Sequence, residues 1–562
     1  EMINGDWSSD VCSSDLSKPT EEKNETLPTN VPETISQKEI KPKPKPKESK
    51  QLKINRYFIP EKIDDPTPGD PCGLYLEGVN FHWDREKFEK SLSKLGIKFN
   101  RTIKKKNSKS ATIHFENNED RQAAYKILSN GIGDRMYFVV ALKKNFKISE
   151  MLCHRLRARA TSDLETRDID DRIAPWHKMP YDVQLQHKSE KFSSIISPII
   201  PEGSAPMKVY EAPKITGFRN NAELSIGYDL NGQICVGFNL GSRIEDVIAP
   251  LKSTYNVPNI CPELAEDLRQ FIIETNTPVF DRCLNVGFWK FVLIRTTETG
   301  QSMMSTCVFG KLDEEIVEKY KERFAPKVTS LYIAETESYE GYGKNPNFRL
   351  LSGPATIVEH LRGLEFDISP MSFFQTNTSG AELLFSKIEE QAEVDSNAIL
   401  VDVCCGTGVI GLAMANKVKK VIGVDIEEQA ILDAKRNAEK NHILNAEFIA
   451  GRAEDTLSNI LKEYEGEKIV CIVDPPRAGL HKRAAYALRD CIYVNRVVYV
   501  SCNPNSLVED SRKILMNPNT SNKTKPFEPK RWFGVDMFPH TDRVELIRSE
   551  ERRVGKECRS RW

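Results

Sequence analysis

From Ala398 onward, apolar runs alternate with amphipathic stretches. They read AILVDVCC (398–405), VIGLAMANK (409–417), VIGVDI (421–426), EEQAILDAKRNAEKN (427–441), AEFIA (446–450), KIVCIVD (468–474), HKRAAYALRDC (481–491), RVVYVS (496–501) and NSLVEDSRKILM (505–516). The β-branched runs predict buried strands, and the stretches between them have helical character. That alternation predicts an α/β domain over 366–548 built on a doubly wound parallel sheet. KRWFGVDMF (530–538) and RVELIRS (543–549) follow with no helix between them, which predicts an antiparallel hairpin at one edge.

Residues 213–365 have a different rhythm. AELSIGYDLNGQICVGF (222–238) alternates polar and apolar positions around Asn231-Gly232, a hairpin signal. FWKFVLIRTT, QSMMSTCVF and VTSLYIAE add further strands, so this segment is expected to be a central α+β domain. Residues 145–212 are charged and helical in pattern and read as a connector. Residues 72–144 give strand GLYLEGV, helix DREKFEKSLSKLG, strands IKFNRTI and SATIHFE, helix NEDRQAAYKILSN and strand MYFVVAL. This βαββαβ order resembles an RNA-recognition motif. Its third strand carries Ser110 and Thr112 where that family has stacking aromatics, which leaves Tyr75 as the one aromatic expected to stack a base. RNA docking and protein binding are both open for it.

Composition changes the picture at the ends. The chain has 562 residues, 39% hydrophobic and 29% charged, with net charge −1. This is a globular composition with room for several domains, and any nucleic-acid-binding surface must be local. No apolar run reaches the roughly 18 residues of a membrane span, and no secretory segment opens the sequence. The thirteen cysteines form no CxxC pair, so neither a zinc ribbon nor an iron–sulfur cluster is expected, and no metal. Reduced thiols fit a cytoplasmic or nuclear location. Residues 1–71 are rich in Pro, Lys, Glu and Ser and read as disordered. Within them Lys41–Arg56 holds seven positive charges and one negative, either a solvated linker, a phosphate-seeking arm or a nuclear address. Residues 1–16 and 549–562 match neither the composition nor the pattern of their neighbours. They are read as not native and set aside from the fold.

The candidate chemistry lies in the last domain. In VDVCCGTGVIG, Asp402 ends the first strand and Gly406, Gly408 and Gly411 permit a tight turn close to a ligand. Asp425 ends the next strand, where a carboxylate meets ribose hydroxyls. A dinucleotide and an adenosyl ligand fit this pattern equally well. Asp474-Pro475-Pro476-Arg477 ends the fourth strand, and Ser501-Cys502-Asn503-Pro504 the fifth. Glu545 lies on the last hairpin strand. Cys502 is read either as a core filler or as a nucleophile; His540 as an aid to a base or as structural; Arg219 as a loop arginine that could reach RNA. Cys404, Cys405 and Cys471 are read as strand-borne core residues.

A thiol and a base beside a methyl-donor site suit methylation at carbon 5 of uracil. Thiolate addition to carbon 6 makes carbon 5 nucleophilic, and a base then removes the carbon-5 proton. DVCCGTG, GRAED, DPPRAGL, YVSCNP and FPHTDRVE, with SFFQTN (372–377) and FRNNAEL (218–224) upstream, resemble the RNA 5-methyluridine methyltransferase family over residues 175–548. The resemblance implies a Rossmann-like S-adenosylmethionine methyltransferase domain and the T-loop uridine of tRNA as substrate. It implies Cys502 as nucleophile, Glu545 as proton acceptor, and cofactor contacts from Gln375, Asp425 and Asp474. Cys404 stands where bacterial relatives often carry an aromatic, and Asp425 where Glu is frequent. The competing reading is an RNA-binding or tRNA-chaperoning protein that keeps the fold and methylates weakly.

Overall fold

The computed structural model describes residues 73–129, 138–141, 155, 158–159, 162–242, 245–252, 255–282, 287–339, 341–343, 346–515 and 525–552. The basic and Pro-rich segment 1–71 and residues 553–562 lie outside the described residues.

The first unit runs β1 (Gly73–Glu77), α1 (Arg85–Lys94), β2 (Arg101–Ile103), β3 (Ser110–His114), α2 (Asn118–Ser129) and β4 (Phe138–Ala141). Its four strands are ordered β2-β3-β1-β4 and pair antiparallel. Leu74 and Leu76 point from β1 into a core with Phe88, Leu92 and Ile113. Tyr75, on the opposite face, is 3% exposed, so the residue expected to stack a base is covered. The strand predicted over 97–103 shortens to 101–103.

Residues 145–212 are more than a connector. Arg155 pairs with Asp246 and Asp281. Helix α3 (Ile169–Ile173) packs Ile169 and Ile173 against Leu240 and Val247. Helix α4 (Tyr181–Ile196) then packs on the large sheet, and β5 (Val209–Tyr210) becomes that sheet's edge strand.

The central domain holds β6 (Asn221–Tyr228), β7 (Ile234–Asn239), β8 (Ile248–Pro250), α5 (Ile260–Thr275), β9 (Trp289–Thr296), β10 (Ser302–Phe309), α6 (Glu314–Phe324), β11 (Ser330–Thr336) and β12 (Asn347–Ser352). They form a seven-stranded sheet, β12-β11-β10-β9-β6-β7-β8. The expected turn closes β6–β7: the Asp229 carboxylate accepts from Asn231 N–H and Gln233 N–H, and Gly232 takes φ +78°. A small hairpin follows, β13 (Ile357–Leu361) and β14 (Leu364–Ile368).

The last domain holds α7 (Thr378–Ala392), β15 (Ala398–Val403), α8 (Val409–Ala413), β16 (Lys420–Asp425), α9 (Glu428–Lys440), β17 (Ala446–Ala450), α10 (Ala453–Glu463), β18 (Lys468–Val473), α11 (Lys482–Asp490), β19 (Val494–Ser501), α12 (Pro504–Leu515), β20 (Phe527–Val535) and β21 (Glu545–Arg552). The eight-stranded sheet is ordered β17-β16-β15-β18-β19-β21-β20-β5. Strands β15 to β19 are parallel, and β21 is antiparallel to β19. Strand residues alternate between two apolar layers: Leu400, Val470 and Val498 face one side, and Ile399, Cys471 and Val497 the other. Burial on both faces explains the unbroken β-branched runs. The chain winds away from β15 in both directions, so a crevice opens past the carboxyl ends of β15 and β18.

Two expectations change here. The β20–β21 hairpin is not the edge, because β5 pairs with β20 beyond it. The boundary expected after residue 548 falls inside β21. Ser549 Oγ donates to Gln391 Oε1 at 3.1 Å, and Arg548 and Glu550 form a fully buried pair. The Arg552 guanidinium donates to the carbonyls of Val494, Leu488 and Cys491.

Candidate active site

The glycine loop follows β15. Gly406 takes φ +54° with open space where a Cβ would stand, and Gly408 takes φ +78° against the ring of Phe448. A side chain at Gly408 would meet that ring at 2.8 Å, so only glycine lets α8 start there. Asp425 anchors the loop. Its Oδ2 accepts from Gly406 N–H at 2.8 Å and its Oδ1 from Glu427 N–H at 2.9 Å. Each oxygen keeps a lone pair for a further donor. An open cradle beside a half-satisfied carboxylate fits an adenosine ribose.

Asp402 serves the loop from beneath. It is fully buried, and its Oδ2 accepts from Gly411 N–H at 2.9 Å. Burial, and then the charges of Asp474 and Asp425, push it up to about 7. It braces the cradle rather than facing a ligand. Cys404 also departs from expectation: β15 ends at Val403, and Cys404 is a half-buried loop residue at φ +64°. Such a left-handed non-glycine is found where a site over-determines the backbone. Cys405 likewise lies past the end of β15 but is buried, and Cys471 is buried within β18, as expected.

Asp474 follows β18 and is half-buried; burial pushes it up to about 6. Cys502 follows β19, and among the described cysteines it is the exposed one. Ser501 pairs with Leu546 in the β19–β21 register, which sets Cys502 opposite Glu545. Partial burial and the Glu545 charge push the thiol up to about 11, while Arg477 opposes this through its charge and a hydrogen bond. Glu545 lies well above the usual carboxylate range because of burial and Asp474, with Arg477 again pulling the other way. One thiol, two carboxylates and one guanidinium therefore meet at the carboxyl edge of β18 and β19.

Arg477 has no assigned role in the sequence reading; a charged residue directly after the strand-ending Asp-Pro-Pro was the available signal. Gln375 lies on the loop before α7. Its carbonyl accepts from Asn220 Nδ2 at 2.8 Å, and Asn377 Nδ2 donates to Met537 O at 3.0 Å, which ties this loop to the β20–β21 turn near Glu545. Arg295 holds the same loop from the central domain, donating to Ser369 O at 3.1 Å and Ser372 O at 2.6 Å. Arg219 is half-buried rather than exposed, and its Nε donates to Asn221 O at 2.9 Å.

His540 is structural. Its N–H donates to Gln184 Oε1 at 2.9 Å, its carbonyl accepts from Trp176 N–H, and burial lowers its ring's basicity. Beside it Lys188 and Asp536 form an ion pair at 2.7 Å with both side chains fully buried, and Tyr181 O–H donates to Asp536 at 3.0 Å. These contacts fix α4 against the turn that leads into Glu545. Among the described residues no cluster of three or more His, Cys, Asp or Glu is placed to hold a metal, and no helix is long and apolar enough to cross a membrane.

Comparison with known proteins gives the family. The sequence model of the tRNA (uracil-5-)-methyltransferase family matches residues 357–546. Human tRNA (uracil-5-)-methyltransferase homolog A is 30% identical over 526 residues, covering 86% of this chain and 83% of that relative. Mouse tRNA (uracil-5-)-methyltransferase homolog B is 34% identical over 389 residues, covering 65% of this chain and 76% of that relative. A solved structure of the Pyrococcus abyssi tRNA (uracil-54, C5)-methyltransferase in complex with S-adenosyl-L-homocysteine superposes with a TM-score of 0.55 at 27% identity, covering 68% of this chain and 86% of that one. With the glycine cradle, the Asp-Pro-Pro-Arg turn and the Cys502–Glu545 pair in one crevice, the chain belongs to the tRNA (uracil-5-)-methyltransferase family.

Proposed function

We propose that the protein methylates carbon 5 of a tRNA uridine, in the T loop, through a covalent adduct between Cys502 and carbon 6 of the base. The observation that carries this is the register of β19 against β21, which faces Cys502 with Glu545 beside the glycine cradle. Bound S-adenosylmethionine supplies an electrophilic methyl group on a sulfonium. Asp425 holds its ribose and Asp474 stands at the mouth of the cradle toward Cys502; Gln375 belongs to the loop that closes this edge.

Cys502 acts as a thiolate, which adds to carbon 6 and places electron density on carbon 5. Arg477 stabilises the thiolate against two nearby carboxylates. After methylation Glu545 takes the proton from carbon 5, and the thiol is expelled as the ring regains its double bond. Burial raises the affinity of Glu545 for protons, which suits it to that step, since a general base works best when its pKa lies near the pH at which it operates. A uridine stacked in a folded loop does not expose carbon 6, so the base must leave its stack to reach Cys502. The first unit is proposed to help hold RNA through exposed Lys105, Lys106 and Lys109 on the β2–β3 loop. Lys104 is not part of that set: it is buried and donates to the carbonyls of Lys105 and Ser108.

The test is nucleoside mass spectrometry of an unmodified tRNA transcript after incubation with the protein and S-adenosylmethionine. The expected product is 5-methyluridine, mapped to the T loop. RNA binding without 5-methyluridine would refute the activity, and methylation mapped elsewhere would refute the position.

A further inference from the structure

We propose that Asp510 is a positioning residue that sets the Arg477 guanidinium against the Cys502 thiol, which rests on the reading of Cys502 as the nucleophile. Asp510 is 2% exposed and lies on α12, the helix that starts two residues after Cys502. Its Oδ2 accepts from Tyr499 O–H at 2.6 Å and from Leu480 N–H at 2.5 Å, and its Oδ1 from Lys513 Nζ at 3.0 Å. Tyr499 stands in β19 just before Cys502, and Leu480 closes the DPPRAGL loop that carries Arg477. One carboxylate thus ties the arginine's loop to the nucleophile's strand.

The fit is tight. Gly479 takes φ +81°, and a Cβ there would stand 2.5 Å from Asp510 Oδ2. The loop backbone therefore lies directly on the carboxylate, with no side chain between. A second hold acts at the other end of the loop: Asn503, next to Cys502, donates from Nδ2 to Arg477 O at 2.8 Å. Arg477 is held on both sides by residues of the segment that bears the thiol. Cys502 faces Glu545 from β21, and Asp474 and Arg477 from the loop after β18. Of these, Arg477 alone favours the thiolate. Asp510 acts on the thiol through Arg477.

The experiment is alkylation of Cys502 by iodoacetamide in the full chain at pH 8, followed by peptide mass spectrometry, with cofactor affinity measured by calorimetry. Asp510→Ala and Asn503→Ala are expected to slow alkylation about tenfold, because an opposite charge moved away raises the thiol by about one pH unit. Asp510→Asn keeps an acceptor oxygen for Leu480 and Tyr499 and is expected to restore the parental rate. Cofactor affinity should be unchanged in all three. A folded Asp510→Ala protein that alkylates at the parental rate overturns the role. If that variant does not fold, Gly479→Ala carries the test: it forces the loop off an intact Asp510, slow alkylation supports the role and a parental rate overturns it. Turnover by Cys502→Ala would remove the nucleophile itself, whereas parental alkylation in Asp510→Ala would remove the positioning role alone.

Discussion

Asp425→Ala removes two interactions that separate measurements can tell apart. The carboxylate accepts two backbone N–H groups, from Gly406 at 2.8 Å and Glu427 at 2.9 Å, which build the cradle without any ligand. It also offers its remaining lone pairs to the ribose hydroxyls. A hydrogen bond to a charged group contributes about 1.5–3 kcal/mol. Loss of the ribose contact alone therefore weakens cofactor binding roughly 10- to 150-fold. Loss of the two backbone contacts appears in the ligand-free protein, as a fall in stability of the same order. Calorimetry with S-adenosylhomocysteine, which binds without turnover, reads the first effect; urea unfolding of the ligand-free protein reads the second. Asp425→Asn presents one acceptor oxygen to two N–H donors and should weaken binding as well. An Asp425→Ala protein that loses stability but binds at parental affinity would refute the ribose assignment.

Asp402 gives a pH signature. Its folded value of about 7 lies above the ordinary carboxylate value near 4, so the folded state keeps a proton that the unfolded chain has lost. Stability should fall as pH rises from about 4 to about 7, by on the order of 4 kcal/mol from this group, and Asp402→Asn should flatten that slope in urea unfolding; an unchanged slope would show that Asp402 is ionised throughout. Lys188→Met leaves the Asp536 carboxylate buried without its cation and should cost about 3–5 kcal/mol in urea unfolding; parental stability would show that α4 is not integral to the domain. Deleting residues 1–144 should weaken tRNA binding and reduce its salt dependence while leaving cofactor affinity intact, and equal affinity across salt concentrations would contradict a role for that unit in RNA binding.

The hydrophobic pattern made the parallel sheet legible because strands buried on both faces must be apolar throughout, as in Lys468–Val473. It made the Asn231-Gly232 turn legible because a tight turn demands specific residues. The residues named for the site cluster where strand ends converge: Asp425 closes β16, Asp474 and Cys502 directly follow β18 and β19, and Glu545 opens β21. What was not legible depends on partners distant in the chain. Nothing around Lys188 announces its burial against Asp536, 348 residues on. The two-residue β5 is too short for any periodicity, so residues 145–212 read as a connector. The charged ending of β21 hid the strand's last residues, because Arg548 and Glu550 are buried as an ion pair inside the fold. Tyr75 matched a strand signature whose face is covered in the folded chain. Asp402 shares its strand-end position with ligand-facing carboxylates, and only its bond to Gly411 shows that it builds the loop.

The covalent route is tested most directly by incubating Glu545→Gln with tRNA and S-adenosylmethionine labelled in the methyl group, then separating the products under denaturing conditions. A glutamine at 545 lets Cys502 add to carbon 6 and carbon 5 accept the methyl group, but it cannot take the carbon-5 proton. The account predicts a denaturation-resistant protein–RNA band carrying the label in Glu545→Gln, no such band in Cys502→Ala, and none in the double variant. Labelled product released by a well-folded Cys502→Ala protein, or a labelled band that persists in the double variant, would contradict it.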